Sequence, residues 1–406
     1  MFASKAISVV MLLILAAPGP SDAQDTRAQR LQQQRLNKSA QLQPPQSSSL
    51  EKFMYEFKER RILERYQAGF MGFHPMLGGL STGSGFALGT QFRKADIVNR
   101  GLTFTASGQA SFAGYQKYEM TVDAPRLVDE RLFLSFNFRQ RNFPQEDFFG
   151  IGSDSEETNR TNFRLEDTQY VATFGVRPAR NVSVGAQLGI LNTNTASGTD
   201  RRFPSVEQSF NVTNTPGLDR QPDYRHAGAF AQFDNRDEPF NPRSGSLFRA
   251  EGVYYDDRDF GSYSFRRWNF EAQQYLPFFN QRRVIAARTR LELSDTQPGQ
   301  QTPFFLLPML GGAEDLRGFR EFRFRDKHSL VFNLEYRWEV FSGLDMAVFG
   351  DAGNVYGDID DIKLNKLKTS YGIGFRFNTS KSVFLRFDIG FGDEGPRRFL
   401  KFGHVF

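Results

Sequence analysis

The segment 328–341 alternates large apolar and polar side chains along its length, and this period of two residues confines it to an extended strand with two unlike faces. One face carries Leu330, Phe332, Leu334, Tyr336, Trp338 and Val340. The opposite face carries Val331, Asn333, Glu335, Arg337 and Glu339. A strand that offers one face to hydrocarbon and the other to water is typical of a membrane-spanning β-barrel with a polar interior.

Similar segments of about ten residues recur from residue 65 to residue 406, separated by turn residues. We count about sixteen of them, the first at 65–75 and the last at 397–406, and an even number returns both ends of a barrel to one side of the membrane. The hairpin near 76–85 has the weakest pattern. A soluble β-sandwich is disfavoured because aromatic faces such as that of 383–391 suit lipid. The sequence therefore predicts an all-β fold, a single transmembrane antiparallel barrel over 65–406.

The N-terminal part has a different composition. Lys5, an apolar run over 6–17 and small residues at 21–23 predict a signal peptide spanning 1–23. Residues 24–64 are predicted to be periplasmic, with a disordered leader followed from Ser49 by one amphipathic helix. Two placements of this helix stay open: on the barrel rim or inner leaflet, or inside the lumen as a plug.

Composition excludes several kinds of chemistry. The chain has no cysteine, so disulfides, thiolate metal ligands and catalytic thiols are ruled out. The four histidines lack a metal-ligand spacing, and no metal or other cofactor is expected. The formal charge is +5, but nine basic and five acidic residues within 25–65 supply most of the excess, which argues against nucleic acid as a partner. A G-x-S-x-G match at 79–83 has no helix after it, so we do not expect an enzyme.

A long polar loop precedes the strand at 328–341 and contains GGAEDLRGF at 311–319. Its Arg317, Gly318 and Phe319 form an Arg-Gly-aromatic tripeptide. By strand alternation Glu335 lies on the polar face of its strand, and Asp351 shares a face with Asp345 on the next, so both carboxylates can point into a lumen. A guanidinium between two carboxylates makes charge-assisted hydrogen bonds. Spacing alone leaves open a solvated surface arginine.

The ordered set of motifs resembles a known family. After GGAEDLRGF come NLEYRWEVF, MAVFGDAGNVYGD, YGIGFRFNTSKSVFLRFDIGFGD and a terminal FGHVF, with FFGIGSDS and FDNRDEPFNPRSG upstream. This order is similar to that of the BamA/TamA superfamily, also called the bacterial surface antigen family, and the resemblance covers the chain from about Gly83 onward.

The resemblance implies a sixteen-stranded barrel of the bacterial outer membrane, surrounded by its lipid, whose long loop folds back into the lumen. The loop lock that we expect is Arg317 held by Glu335, Asp351 or both, with Gly318 letting the backbone turn sharply and Phe319 anchoring the tip. The resemblance also implies that Phe402 and Phe406 form the signal read by the barrel assembly machinery.

The N-terminus departs from the family pattern. About forty residues between Gln24 and Arg65 cannot hold a polypeptide-transport-associated (POTRA) domain, so a separately encoded periplasmic partner would have to supply the docking surface. The resemblance still implies export or insertion of proteins or lipids, through a weak seam between the first, glycine-rich strand and the last. The alternative is a passive pore or structural surface antigen, its lumen biased towards anions by Arg288, Arg290, Arg337 and Arg376.

Overall fold

The computed structural model of the protein describes Leu36 and residues 69–81, 84–97, 101–341, 343–378 and 383–402. The predicted signal peptide and the terminal Phe406 lie outside these ranges, as does all of 24–64 except Leu36. Leu36 is helical, although it falls in the leader expected to be disordered. Its neighbours at 30–36 are Arg, Leu and Gln, which are all good helix formers.

Within the described ranges, sixteen strands form one antiparallel sheet in which each strand pairs with its neighbour along the chain. The sheet curls into a nearly closed barrel, and the predicted fold class is confirmed. A further pair of two-residue strands forms a separate hairpin in the long loop. In chain order the strands are β1 (Phe73–Gly78), β2 (Ala87–Ile97), β3 (Leu102–Ser111), β4 (Gln116–Leu127), β5 (Leu132–Phe148), β6 (Thr161–Ala179), β7 (Val182–Ser197), β8 (Tyr224–Asp234), β9 (Gly245–Asp257), β10 (Phe265–Phe278), β11 (Arg283–Asp295), β12 (Met309–Leu310), β13 (Phe324–Arg325), β14 (His328–Phe341), β15 (Leu344–Tyr356), β16 (Lys368–Asn378), β17 (Val383–Gly392) and β18 (Gly395–Lys401).

Among the described residues from 69 to 402, helical structure is sparse and lies in the loops. The one α-helical turn is α1 (Val206–Ser209), and the 3₁₀ turns are Glu157–Asn159, Phe304–Leu306, Ile359–Asp361 and Leu364–Lys366. No helix of the described residues is long and apolar enough to cross a membrane.

Alternation along each strand separates a lipid face from a lumenal face. On β14, the side chain of Leu334 is 55% exposed whereas that of the next residue, Glu335, is 0% exposed. Apolar side chains outside and polar side chains inside are what a barrel in hydrocarbon requires, because the backbone groups are satisfied by the ladder and the lumen is polar.

The two ends of the barrel differ in loop length. The connections at 149–160, 198–223, 296–327 and 357–367 are long and share one end, while 128–131, 180–181 and 279–282 are short and share the other. Long loops mark the extracellular end of such barrels and short turns the periplasmic end.

The first predicted strand is wrong in position. The strand expected at 65–75 is observed at Phe73–Gly78, because Gly69, Met71 and Gly72 all have positive φ and break the extended chain before it. The last strand, expected at 397–406, is observed at Gly395–Lys401. Within the described residues both terminal strands are short, and no hydrogen-bonded ladder joins β1 to β18 there.

The long loop at 296–327 is anchored at the extracellular end before it descends. Phe304 and Phe305 are buried with Phe148, Phe163 and Val206 in one apolar cluster. Phe304 packs edge-on against Phe148, with ring centroids 5.1 Å apart. The cluster ties the loop to the ends of β5 and β6 and to α1, so its approach to the lumen is fixed.

Candidate functional site: a loop arginine held against the inner wall

The tip of the long loop is a compact turn. The backbone N–H groups of Gly312 and Phe319 both donate to the carbonyl of Leu316, over 3.2 and 3.0 Å. Gly311 and Gly312 have φ of 120° and 99°, which only glycine adopts freely. A Cβ at Gly311 would also lie 2.2 Å from the carbonyl oxygen of Arg320, so the Gly-Gly pair is required by both backbone angle and space.

Arg317 is fully buried, and its hydrogen-bond partners lie on the inner faces of β14 and β15. It donates to Asp351 from its backbone N (3.1 Å), from Nε (2.9 Å) and from Nη2 (2.6 Å). Its Nη1 donates to Glu335. The guanidinium also lies over the ring of Phe349, 3.5 Å from the ring centroid. The structure thus brings together Arg317 and both carboxylates named from strand alternation.

The Arg317 contacts belong to a larger buried network of ions. Glu335 also accepts from Arg337 (2.6 Å) and Arg376 (3.0 Å), and Arg376 donates in turn to Asp388 (2.6 Å). Arg386 forms an ion pair with Asp388 over 3.0 Å. Four arginines and three carboxylates therefore nearly neutralise each other across β14 to β17. Removing one member of such a network leaves a buried charge without its partner, which typically costs about 3–5 kcal/mol.

Gly318 has a different role from the one predicted. It is absent from the glycines with positive φ, so it is not needed for a sharp turn. A Cβ at Gly318 would lie 2.6 Å from the Cβ of Ser370 and 2.7 Å from the backbone N of Gly392. On the wall opposite, a Cβ at Gly390 would lie 2.0 Å from the carbonyl oxygen of Arg317. Glycine is required here because the loop and β17 approach each other directly.

Phe319 is buried and packs in an apolar cluster beside the ionic network. Its ring makes a T-shaped contact with Phe324 of β13, with centroids 5.2 Å apart. The other members of the cluster are Leu310, Leu316, Val331 and Val355. The cluster joins the loop tip, the β12–β13 hairpin and the inner faces of β14 and β15.

A second set of ion pairs ties the loop to the last strand. Glu157 accepts from Arg320 of the loop (2.8 Å) and from Arg397 of β18 (2.7 Å). Burial would raise the pKa of the Glu157 carboxyl, but these hydrogen bonds outweigh it and hold the pKa below its usual range. Glu321 of the loop also pairs with Lys401 of β18 over 3.1 Å. The loop therefore supports β18 from inside the barrel.

Phe402 lies immediately after β18, at the seam. Its ring packs edge-on against Phe384, with centroids 5.5 Å apart. A Cβ at Gly78, the last residue of β1, would lie 3.1 Å from the Phe402 ring. Phe402 thus packs on β17 and approaches the end of β1, and Phe406, the other half of the predicted assembly signal, lies outside the described residues.

Several residues of the site were missed from sequence. Phe349 follows from the same alternation that places Asp345 and Asp351, and could have been found from it. Gly390 and Gly392 carry a weaker signal, two glycines on the same face at the end of β17. Asp388 was missed, and although Arg376 was expected to face the lumen, its contacts with Glu335 (3.0 Å) and Asp388 (2.6 Å) depend on how the strands lie together in three dimensions.

The serine of the G-x-S-x-G match, Ser81, forms a hydrogen bond with a residue of the barrel wall. Ser81 donates from Oγ to Oε1 of Glu146 over 2.7 Å, and its backbone N donates to Ser84 Oγ. This bond ties the first extracellular loop to β5. Thr82 and Gly83 of the motif lie outside the described residues. No cluster of three or more side chains able to hold a metal occurs within the described ranges.

A sixteen-stranded antiparallel barrel with a lipid face, a polar lumen and a loop arginine held inside defines an outer-membrane β-barrel protein. Residues 97–403 match the family model of the Omp85 superfamily domain, and the chain belongs to the Omp85 superfamily. The resemblance drawn from the motifs is confirmed. Barrels of this family reside in the bacterial outer membrane.

Solved structures give the same fold. BamA from Haemophilus ducreyi lacking POTRA domains 1–3 is 15% identical with a TM-score of 0.60, over 82% of this chain and 70% of that one. CdiB from Escherichia coli is 12% identical with a TM-score of 0.58, over 82% of this chain and 63% of that one. The chain thus spans less than two thirds of CdiB. No curated protein matches the chain in sequence.

Proposed function

We propose that this barrel exports or inserts proteins or lipids at the outer membrane by opening sideways between β1 and β18. The observation that carries the proposal is the seam itself, where the described residues show no ladder between two short terminal strands. Unpaired edge strands present free N–H and C=O groups that can pair with an incoming strand, and a gap in the wall exposes lumen to lipid. The resemblance to a family of insertases and transporters supports the same role.

The loop lock gives the seam a rigid support. Arg317 fixes the loop to β14 and β15, and Arg320 and Glu321 connect that loop to β18 through Glu157 and Lys401. β14, β15 and β18 are held by the loop. Among the described residues no comparable set of ion pairs reaches β1, so β1 is free to move. In this proposal β18 stays fixed on the side of the loop lock, and β1 is the strand that moves when the seam opens.

The passive anion pore receives less support. Each arginine that would bias the lumen towards anions has a carboxylate partner: Arg288 with Glu271 (2.7 Å), Arg290 with Asp315 (2.7 Å), and Arg337 and Arg376 with Glu335. Paired guanidinium groups attract a passing anion far less than unpaired ones. The loop that supplies Asp315 also occupies part of the lumen.

The test is to close the seam covalently. The chain has no cysteine, so the pair Gly78→Cys and Phe402→Cys can be joined by a short bifunctional thiol reagent without side reactions. The full chain, in liposomes, is assayed for insertion of an unfolded outer-membrane barrel and for exchange of labelled phospholipid between leaflets. We expect at least one activity in the uncrosslinked variant and a loss of about tenfold on crosslinking.

The matched control is Phe387→Cys with Leu400→Cys, which lie opposite each other on β17 and β18. Crosslinking these two strands leaves the seam free and should leave activity intact. Equal activity with the seam closed, or no activity above empty liposomes in either assay, would overturn the proposal and favour a pore or a structural antigen.

A further inference from the structure

The outer surface of the barrel carries a groove on the side formed by β5 to β9. It has a volume of about 740 Å³, within the range of small-molecule and lipid sites. It is lined by a transverse row of outward residues in continuous register, with Phe136 and Tyr254 at the two ends and Ala172, Leu188 and Ala227 between them. The small Ala172 and Ala227 between large neighbours create the depression, so the lipid-facing wall is concave here.

Two arginines stand at the extracellular end of this groove. Arg225 is the second residue of β8, after the long loop 198–223, and Arg258 follows the end of β9. Both are exposed, and neither has a carboxylate within ion-pair distance among the described residues. Asp256 also lines the groove and faces Arg225 in register. The rim therefore carries two positive charges and one negative charge beside an apolar floor.

An apolar groove with two arginines at its extracellular end favours a ligand that has both apolar chains and a negative charge. Lipid-facing arginines are costly unless they meet an anion at the headgroup level, and guanidinium binds phosphate through several hydrogen bonds. Tyr170 and Tyr254 flank the groove, as aromatic side chains do at the membrane interface. The chemistry of the groove therefore fits an anionic amphiphile of the outer leaflet.

The width of the groove decides between kinds of lipid. From β5 to β9 there are four inter-strand spacings of about 4.8 Å, or about 19 Å in all. That width accommodates several acyl chains side by side rather than the two of a phospholipid. We propose that the groove binds a phosphorylated, multiply acylated glycolipid of the lipid A class, with phosphate on Arg225 and Arg258 and acyl chains over Ala172 and Ala227.

The inference is independent of the seam, since the groove lies on other strands. It is tested by native mass spectrometry of the full folded chain in detergent micelles titrated with purified bisphosphorylated, six-chain lipid A. We expect Arg225→Gln with Arg258→Gln to weaken binding by about tenfold, as for loss of charge-assisted hydrogen bonds. Asp256→Asn should tighten binding, because it removes the one negative charge near the phosphates.

Controls separate binding from folding. Arg398→Gln changes another outward arginine, on β18, and should leave lipid A affinity unchanged. Ala227→Trp fills the groove while keeping both arginines and should also weaken binding. Equal affinity in the double arginine variant and the parent, or phosphatidylglycerol binding as tightly as lipid A, would overturn the proposal.

Discussion

Arg317 reaches Asp351 through three separate donors, its backbone N–H at 3.1 Å, Nε at 2.9 Å and Nη2 at 2.6 Å. The backbone donor fixes the path of the loop, and the two side-chain donors fix the plane of the guanidinium. Asn333 (2.8 Å) and Ser370 (3.2 Å) hold the same carboxylate from neighbouring strands. One carboxylate thus joins the loop to three strands of the wall.

Replacing Arg317 should release the loop. Arg317→Ala leaves Asp351 and Glu335 buried without their shared partner, and we expect a loss of about 3–5 kcal/mol in the free energy of unfolding. Arg317→Lys should recover little, because a single ammonium cannot span both carboxylates. Urea unfolding in vesicles and protease cleavage of the loop measure the effect. Arg320→Ala, in a partly exposed pair with Glu157, should cost about 1 kcal/mol or less; equal losses in both variants would contradict the lock.

The close approach of loop and wall predicts an effect of one methyl group. Gly390→Ala places a Cβ about 2.0 Å from the carbonyl oxygen of Arg317, and the nearest atoms that it meets all belong to the backbone of the loop. We expect destabilisation of about 1–3 kcal/mol, typical of overpacking, with more protease cleavage at the loop tip. Gly350→Ala is the matched control, since a Cβ there meets nothing within 4 Å. Similar stability for the two variants would show that the loop does not pack closely against β17.

The charge balance of the network gives a third prediction. Glu335→Gln leaves Arg317, Arg337 and Arg376 facing one carboxylate fewer, and the barrel should lose about 3 kcal/mol or more in urea unfolding. Adding Arg337→Met removes the surplus positive charge and should restore part of the loss. If the double variant is less stable than expected from the sum of its two single changes, charge balance is not what holds this network.

The sequence predicted most of the fold because alternation reports directly on which face of a strand meets lipid. It placed Glu335 and Asp351 on the lumenal face for the same reason. It misplaced the first strand, since Met71 has a left-handed backbone conformation, which a methionine in the sequence does not indicate. Contacts such as Arg376 with Glu335 depend on the neighbours of each strand in space, and alternation within one strand carries no information about them.

Gly318 illustrates a second limit. A glycine after an arginine in a loop suggests a tight turn, but here the determining fact is the distance to Gly392 on another strand. Likewise, the four arginines named as lumenal were placed on the inner face correctly by their strands, whereas their carboxylate partners became evident only in three dimensions.

The C-terminal signal predicts an assembly defect. Phe406→Ala should reduce the amount of folded barrel in the outer membrane severalfold, because the terminal aromatic is expected to be recognised during assembly. The measurement is the fraction of membrane-associated protein with heat-dependent gel mobility. Val405→Ala is the control, since in the predicted alternation Val405 is out of phase with Phe402, His404 and Phe406. Unaltered assembly of the Phe406 variant would remove this role.

Single-channel conductance distinguishes two segments that could close the lumen, the long loop and the predicted N-terminal helix. Because Arg317 holds the long loop inside, Arg317→Ala should raise the single-channel conductance of the refolded barrel in a planar bilayer, and unchanged conductance would show that the loop does not obstruct the path. Deleting 24–64 in the parent tests the predicted N-terminal helix separately. A rise on deletion would place that helix in the lumen as a plug, and no change would place it on the rim. Combining both changes shows whether the two obstructions are independent, since independent obstructions give additive conductance changes.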